Sequence, residues 1–426
     1  MVTFLVIGCL ILLIISYYLF NRSIISPSLL ITGGFFISSI NLYLNRNTWY
    51  FNSKLTIILI LAGLITFMIG CYIVNLIFRS KQIKEIKDIK FNSFKIRLIV
   101  YLLFQLLLYF IILFWIVRSQ GGGISASLSS FHANSMLGIT GLPGVLNILN
   151  IINMSGVYLI FYLTIYYKIK LKKIPHILFA NDIVALIGSL FTGNRTIFSM
   201  YIMGLFILYF LMIEKKERKL SILNLKYFLS ILIILCLGII AFMIIALLQG
   251  RSESNVSLIY NLSTYMGGPL KNLEIFVNKN VITRQVFAGQ TFMDTYNWLA
   301  TTFGISQFKI TNLYTYNWVF ENGIGNVYSI FMPLYNDFGI SGLLIFMFLL
   351  GSFSQYVYCS ALYKQPKNDI SYYTIFYSYL GFSLFMSFFS NKIGESIFSR
   401  AGIYFIIGLW IFDLILCRPI FNEGNK

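Results

Sequence analysis

A chain of 426 residues, 58% of them hydrophobic and 11% charged, is far from a soluble domain, where charged residues make up roughly 25%. Apolar runs long enough to cross a bilayer, about 20 residues each, recur from end to end and leave no room for a soluble domain of useful size. The formal net charge of +18 is dispersed over the short connections between those runs, as the positive-inside rule requires, which argues against nucleic acid as a partner.

In chain order the predicted spans are residues 2–20, 24–44, 55–78, 98–117, 144–167, 176–193, 196–213, 227–249, 327–361, 371–389 and 403–417. The first lacks the basic start and small-residue cleavage site of a signal peptide and reads as a retained helix. The ninth is too long for one straight helix. Pro333 and the string Asp337-Phe338-Gly339 predict a short half-helix followed by a full span. Loop 79–97 carries seven basic residues and two acids, 168–173 four lysines, and 214–226 five basic residues. Even numbers of spans separate these loops, so all three are expected in the cytoplasm, with the C-terminus inside and the N-terminus outside. The fold class that follows is all-α: one polytopic integral membrane domain over 1–426 with about eleven transmembrane helices. Cys9, Cys71, Cys236, Cys359 and Cys417 fall within or beside apolar runs. With no Cys-x-x-Cys among them, they read as small packing residues rather than a disulfide framework or zinc site.

Three connections face outward on this map: 118–143, 250–326 and 390–402. The middle one is too long to be structureless in a compact protein, so a large, partly helical outer loop is predicted. Pro269 suits the first turn of a helix running to Val277. Phe292, Tyr296, Leu299 and Phe303 share one helical stripe, suited to the membrane surface or to packing on the bundle.

Arginine is distributed against the topology signal. Lysine outnumbers arginine 16 to 5 on the cytoplasmic side, whereas the outer side holds 5 lysines and 6 arginines: Arg46, Arg118, Arg195, Arg251, Arg284 and Arg400. Arg46 and Arg118 sit at span ends, where snorkelling accounts for them. Arg195 lies in a turn too short to be a solvated loop, Arg251 and Arg400 abut spans, and Arg284 lies deep in the long loop. A guanidinium binds phosphate oxygens in a bidentate way that an ammonium cannot match, so Arg195, Arg251, Arg284 and Arg400 are candidates for holding a pyrophosphate. The outer acids are Glu253, Glu274, Asp294, Glu321, Asp337 and Glu395. Asp337 interrupts an apolar run, where a carboxylate is costly unless paired or functional; capping the helix that restarts near Phe338 is its structural alternative. Asp337, Glu321 and Glu253 are the candidate proton acceptors, unranked. His132 and His176 are the only histidines and read as solvated and interfacial. Tyr265, Trp298 and Tyr316 are candidate sugar-stacking faces, although such residues also form interfacial belts. No Asp-x-Asp string is present to hold a divalent metal and a nucleotide sugar.

The outer arginines, the late outer loop and a few short strings together resemble the Wzy-type oligosaccharide repeat-unit polymerases, across nearly the full chain in span number and loop placement. The strings are Gly193-Asn194-Arg195-Thr196, Asn326-Val327-Tyr328, and Asp337-Phe338-Gly339 followed by Gly342; the spacing from Arg251 to Gly267 is similar to one in outer loops of some members. The resemblance implies a GT-C-like, membrane-embedded, inverting glycosyltransferase of the bacterial cytoplasmic (inner) membrane that joins undecaprenyl-pyrophosphate-linked glycans at its outer face. The product would be O-antigen, capsule or another exopolysaccharide. It also implies no cofactor and no metal, with membrane lipid and a chain-length-regulating membrane co-polymerase as partners. Two other readings stay open. An O-antigen ligase uses the same donor but relies on a histidine in its late outer loop, and 250–326 contains none. A flippase or other transporter favours duplicated halves, and no internal repeat is evident.

Overall fold

Lipid offers no partner for backbone N–H and C=O groups, so apolar runs must satisfy them internally as helices. The computed structural model describes residues 1–86, 95–136, 140–191, 195–218, 258–279, 282–283, 286–320, 322–364 and 370–417. Its first helices are α1 (Val2–Leu19), α2 (Pro27–Leu44), the one-turn α3 (Arg46–Trp49), α4 (Lys54–Phe78), α5 (Lys95–Gln120) and α6 (Ile124–Met136). Then come α7 (Gly144–Leu171), α8 (His176–Leu190) and α9 (Arg195–Glu217). The late outer loop contributes α10 (Leu258–Met266), α11 (Gly268–Lys279), α12 (Met293–Phe303) and an antiparallel pair of short strands, β1 (Asn317–Val319) and β2 (Asn322–Gly325). The chain closes with α13 (Phe331–Tyr363), α14 (Tyr372–Phe385) and α15 (Arg400–Phe412).

Eight of the described helices are long and apolar enough to cross a membrane. They are α1, α2, α4, α5, α7, Thr196–Glu217 of α9, α13, and α15 with the π turn that extends it to Cys417. The chain is therefore an all-α, multi-pass membrane protein. The difference from about eleven has three sources. The expected span 176–193 is the 15-residue α8, about 22 Å long at 1.5 Å per residue against a hydrocarbon core of about 30 Å. The expected span 371–389 is α14 followed by a 3₁₀ turn, Met386–Phe388. The expected span 227–249 lies outside the described residues.

The two ends of the bundle are segregated as the charge topology predicts. At one end Glu214 accepts hydrogen bonds from Ser23 Oγ (2.6 Å) and Tyr358 OH (3.0 Å), Lys215 Nζ donates to Thr374 Oγ1 (3.1 Å), and Lys84 N donates to Leu362 O (3.0 Å). All of these belong to or adjoin connections assigned to the cytoplasm. At the other end Ser38 Oγ donates to Met266 O (2.6 Å), and Trp49 Nε1 donates to Tyr260 OH (3.3 Å). Glu274 of α11 is nearly sealed from solvent; it pairs with Lys271 and accepts the Ser53 N–H (2.7 Å), fastening the outer loop to the start of α4. Pro269 lies in the first turn of α11, which runs to Lys279, two residues past the expected end.

α4 and α13 pack closely because small residues meet at their crossing. A side chain at Gly70 would run into the Phe348 carbonyl, and one at Gly351 into that of Phe67. α13 is broken as the Asp-Phe-Gly string predicts: Gly339 has φ 67° and ψ −164°, a conformation essentially reserved for glycine. Pro333 does not take part in the break. It sits in the first turn of the half-helix, where its missing N–H costs nothing.

Candidate functional site

The break in α13 matters for what it holds. Asn336 and Asp337 end the half-helix, and both are buried. Asn336 bonds both backbone groups of Thr283, accepting its N–H (3.1 Å) and donating to its carbonyl (2.9 Å). Asp337 accepts from Gln290 N at Oδ1 (3.3 Å), from Thr291 N at Oδ2 (2.7 Å), and from Asn336 Nδ2 at Oδ1 (3.1 Å). The carboxylate does not cap the helix that restarts after it; it caps the turn that leads into α12. From the opposite side Asn391 Nδ2 donates to Thr291 O (2.8 Å), and Thr295 Oγ1 donates to Phe398 O (2.6 Å). The turn 286–292 is thereby clamped between α13 and the outer segment 390–399.

Between that turn, the strap around Asn312 and Tyr314, and the segment 390–399 lies a cavity of about 150 Å³ with both polar and apolar lining. Gln290, Thr291, Asp294, Tyr314, Asn391 and Glu395 are among its lining residues. Lys392 pairs with Glu395 at its edge. Ser399 Oγ accepts the Ala401 N–H (3.1 Å), which starts α15 here and sets Arg400 at its first position. Asp294 is solvent-exposed at the mouth. Desolvation by the surrounding protein, followed by repulsion from Glu395, pushes its carboxyl up to about 6, while Lys392 and Arg400 pull the other way. Water at the mouth screens part of this, while repulsion from Glu395 raises the carboxyl independently of desolvation. Tyr314, stacked on Tyr328 at 5.6 Å, is raised by desolvation and by the nearby carboxylates.

Two lining side chains have buried oxygens with no hydrogen-bond partner among the described residues, Gln290 Oε1 and Thr291 Oγ1; Ser390 Oγ, beside Asn391, is a third. Buried polar atoms are ordinarily satisfied, so a ligand bearing hydroxyl groups would complete this set. Two carboxylates, one with a raised pKa, and unfilled hydrogen-bonding capacity line the cavity, and Lys392 and Arg400 act on Asp294 from beside it. That inventory suits proton transfer at a hydroxyl beside a site where negative charge develops.

Of the residues singled out from the sequence, Asp337 holds the turn that walls the cavity and lines the neighbouring hollow, and Arg400 acts on Asp294 from outside the lining. Asp337 accepts two backbone N–H groups and the Asn336 side-chain amide, which take three of the roughly four acceptor positions of a carboxylate and leave little capacity for a reacting proton. Tyr265 stacks on Phe389 at 5.9 Å, next to the 390–399 segment. Trp298 is half-buried on α12, and Tyr316 is exposed, tilted against Trp318 at 5.3 Å on the small hairpin; neither reaches the cavity lining. Arg195 begins α9, and its side chain lies outside what is described. Arg251, Arg284, Glu253 and Glu321 also lie outside the described residues. Sequence reasoning passed over Asp294, Glu395 and Lys392 as site residues. The available signal was the short outer segment 390–402, which sets Lys392, Glu395 and Arg400 between two apolar runs. The 292–303 stripe is divided: Phe292 packs on Phe346 and Phe398, whereas Phe303 is exposed.

A second hollow of about 490 Å³ lies on the other side of the turn, lined by Val286, Phe287, Asp337, Phe338, Ser341, Gly342 and Ile345. Among the described residues no group of three or more His, Cys, Asp and Glu side chains is arranged to hold a metal ion. No protein-family model, curated protein or solved structure matches the chain.

Proposed function

We propose that the protein is a GT-C-like glycosyltransferase of the bacterial cytoplasmic membrane that polymerises lipid-pyrophosphate-linked oligosaccharide repeat units at the outer face. The observation that carries this reading is the outward cavity, where Asp294 and Glu395 stand beside unfilled hydrogen-bonding groups, with Lys392 and Arg400 in electrostatic reach of Asp294. The resemblance of the Asp337-Phe338-Gly339 and neighbouring strings to Wzy-type polymerases supports it. In this mechanism a hydroxyl of the incoming unit attacks the anomeric carbon of the growing chain and passes its proton to Asp294. The C1–O bond breaks with its electron pair leaving on pyrophosphate. Arg400, with Lys392, offsets the developing charge, the kind of fixed electrostatic assistance that lowers such barriers. Asp294 suits the base because a carboxylate with a pKa near 6 is both ionised and basic at neutral pH. Asp337 serves as a positioning residue.

The test is a gel of surface glycan from a strain lacking the gene, complemented with the wild type, Asp294→Asn or Arg400→Ala. Loss of the ladder to a single repeat in the deletion, restored by wild type and not by either variant, is the expected result. A ladder unaffected by the deletion removes the polymerase reading. Long polymer left unattached to its acceptor indicates a ligase instead.

A further inference from the structure

The segment Tyr316-Asn317-Trp318-Val319 alternates large rings with other residues, and the two-residue period of a strand sends such neighbours to opposite faces. Asn317 is turned inward. Its Nδ2 donates to Asn272 Oδ1 (3.0 Å) and to Tyr328 OH (2.6 Å), and Asn272 in turn donates to the carbonyls of Gly325 (3.2 Å) and Val327 (2.8 Å). With Tyr260 OH donating to Gly323 O (3.4 Å), these bonds fasten one side of the β1–β2 hairpin to α10 and α11. Tyr316 and Trp318 are turned the other way. Phe320, in the turn that follows, has φ 54°, a conformation that bulky residues rarely adopt, and its ring meets Tyr50 edge to face at 5.8 Å. All four rings, Tyr50, Tyr316, Trp318 and Phe320, are more than half exposed. An exposed apolar patch of this kind marks an interaction surface.

What covers the patch follows from its height. Tyr50 stands four residues before α4, whose exposed apolar stripe runs through Leu55, Ile58, Ile65, Ile69 and Ile77 and marks the lipid-facing side of that span. At about 1.5 Å per residue, the stripe from Leu55 to Ile77 is roughly 33 Å long. Against about 30 Å of hydrocarbon, that sets Leu55 at the outer boundary of the apolar layer. Leu44, the exposed last residue of α2, lies at the same end. Tyr50, and Phe320 upon it, therefore stand just beyond the hydrocarbon, at the height of the lipid headgroups. Arg46 and Lys54 are exposed on the same short connection, which puts cations at the level of lipid phosphates. Tyr and Trp favour this layer because each joins an apolar body to a polar tip. The patch is thus continuous with a surface already turned to lipid.

We propose that the β1–β2 hairpin is an interfacial anchor, with Trp318, Phe320 and Tyr50 seated among the headgroups of the outer leaflet, so that the partner of this surface is the bilayer itself. Sugar stacking is the weaker fit, because Phe320 brings no hydrogen-bonding group to the tip. The anchor also reaches the cavity. Tyr314, which lines it, stacks on Tyr328, and Tyr328 OH accepts from Asn317 and donates to Thr315 O (3.1 Å). Seating the hairpin in the headgroup layer therefore holds one wall of the cavity at a fixed height above the membrane, whatever reaction takes place there.

The experiment reads tryptophan fluorescence from the full chain in phosphatidylcholine vesicles whose acyl chains are brominated either near the headgroup or near the chain end. Trp318 is one of five tryptophans, and the difference between wild type and Trp318→Phe isolates its emission while keeping an aromatic ring in place. Bromine near the headgroup should quench that component at least twofold, and bromine near the chain end should quench it less. Phe320→Asp, a change at an exposed position, should lift the tip and reduce the quenching at least twofold. Four results would overturn the proposal. Quenching by aqueous iodide and by neither lipid would leave the rings in water, and relief of that quenching by a soluble oligosaccharide would make the patch a sugar platform. Protection from both iodide and lipid bromine would place protein over it. Stronger quenching from the chain end would sink the hairpin into the hydrocarbon. Quenching that Phe320→Asp leaves intact would remove the anchor role of the tip. No turnover is involved, so the outcome stands apart from that of the glycan ladder.

Discussion

Replacing Asp337 with alanine separates a tether from a reacting group. The carboxylate is 9% exposed and accepts from the backbone N–H groups of Gln290 and Thr291, two residues that are themselves buried. Its removal leaves two buried donors unsatisfied, at about 1–3 kcal/mol each, while relieving the desolvation of the carboxylate offsets part of that cost. A net loss of about 2–4 kcal/mol in the local stability of the turn follows. At 1.4 kcal/mol per tenfold, exchange of the Gln290 and Thr291 amide hydrogens should accelerate roughly 30- to 700-fold, while helices remote from the turn keep their protection. Asp337→Asn, which retains one acceptor oxygen, should show an intermediate change in exchange and retain part of the polymer. Unchanged exchange in Asp337→Ala together with complete loss of polymer would refute the tether and return Asp337 to the chemistry.

Gly339→Ala forces a side chain into φ 67°, ψ −164° and should cost about 1–3 kcal/mol, seen as a lower unfolding midpoint in detergent. Glu274→Ala leaves the Lys271 ammonium and the Ser53 N–H buried without their carboxylate and should destabilise by about 3–5 kcal/mol. The pair Lys271→Met with Glu274→Leu should cost less than that single change, as unfolding of the same preparation will show. The raised pKa of Asp294 fixes two signs. Its folded value of about 6 lies above its ordinary 3.8, so the protonated form is favoured in the fold. The associated stability is full below about pH 4 and lost as pH rises through about 6, and Asp294→Asn should flatten that slope. Polymerisation that uses Asp294 as base should rise with pH through the same region, and a pH–rate profile checks it.

Most of the membrane architecture was legible because lipid imposes it: long apolar runs must be helices, and lysine-rich connections sort to one side. The break in α13 was legible for a similar reason, since Asp337-Phe338-Gly339 interrupts a run that has no other cause to bend. Pro333 misled because the same residue that breaks a helix interior is harmless in a first turn. The span count was less legible, because apolarity alone does not fix helix length: α8 has 15 residues and α14 has 14 before its 3₁₀ turn. The cavity was the least legible part. Asp294 and Glu395 lie about a hundred residues apart, and their segments are joined by tertiary contacts, Asn391 to Thr291, Thr295 to Phe398 and Phe292 against Phe398. Asp337 was noticed for its cost in an apolar run. That cost is offset by three N–H donors, two of them backbone groups of a loop whose approach no local pattern encodes.

Purified protein reconstituted with a synthetic lipid-pyrophosphate-linked repeat unit would test the central claim most directly, with product length read by mass spectrometry for wild type and Asp294→Asn at matched folding. The account expects dimers and longer chains from the wild type, with release of free lipid pyrophosphate, and at least a hundredfold slower formation in Asp294→Asn. Chain growth at the wild-type rate in Asp294→Asn, or none from a folded wild-type protein, would contradict it.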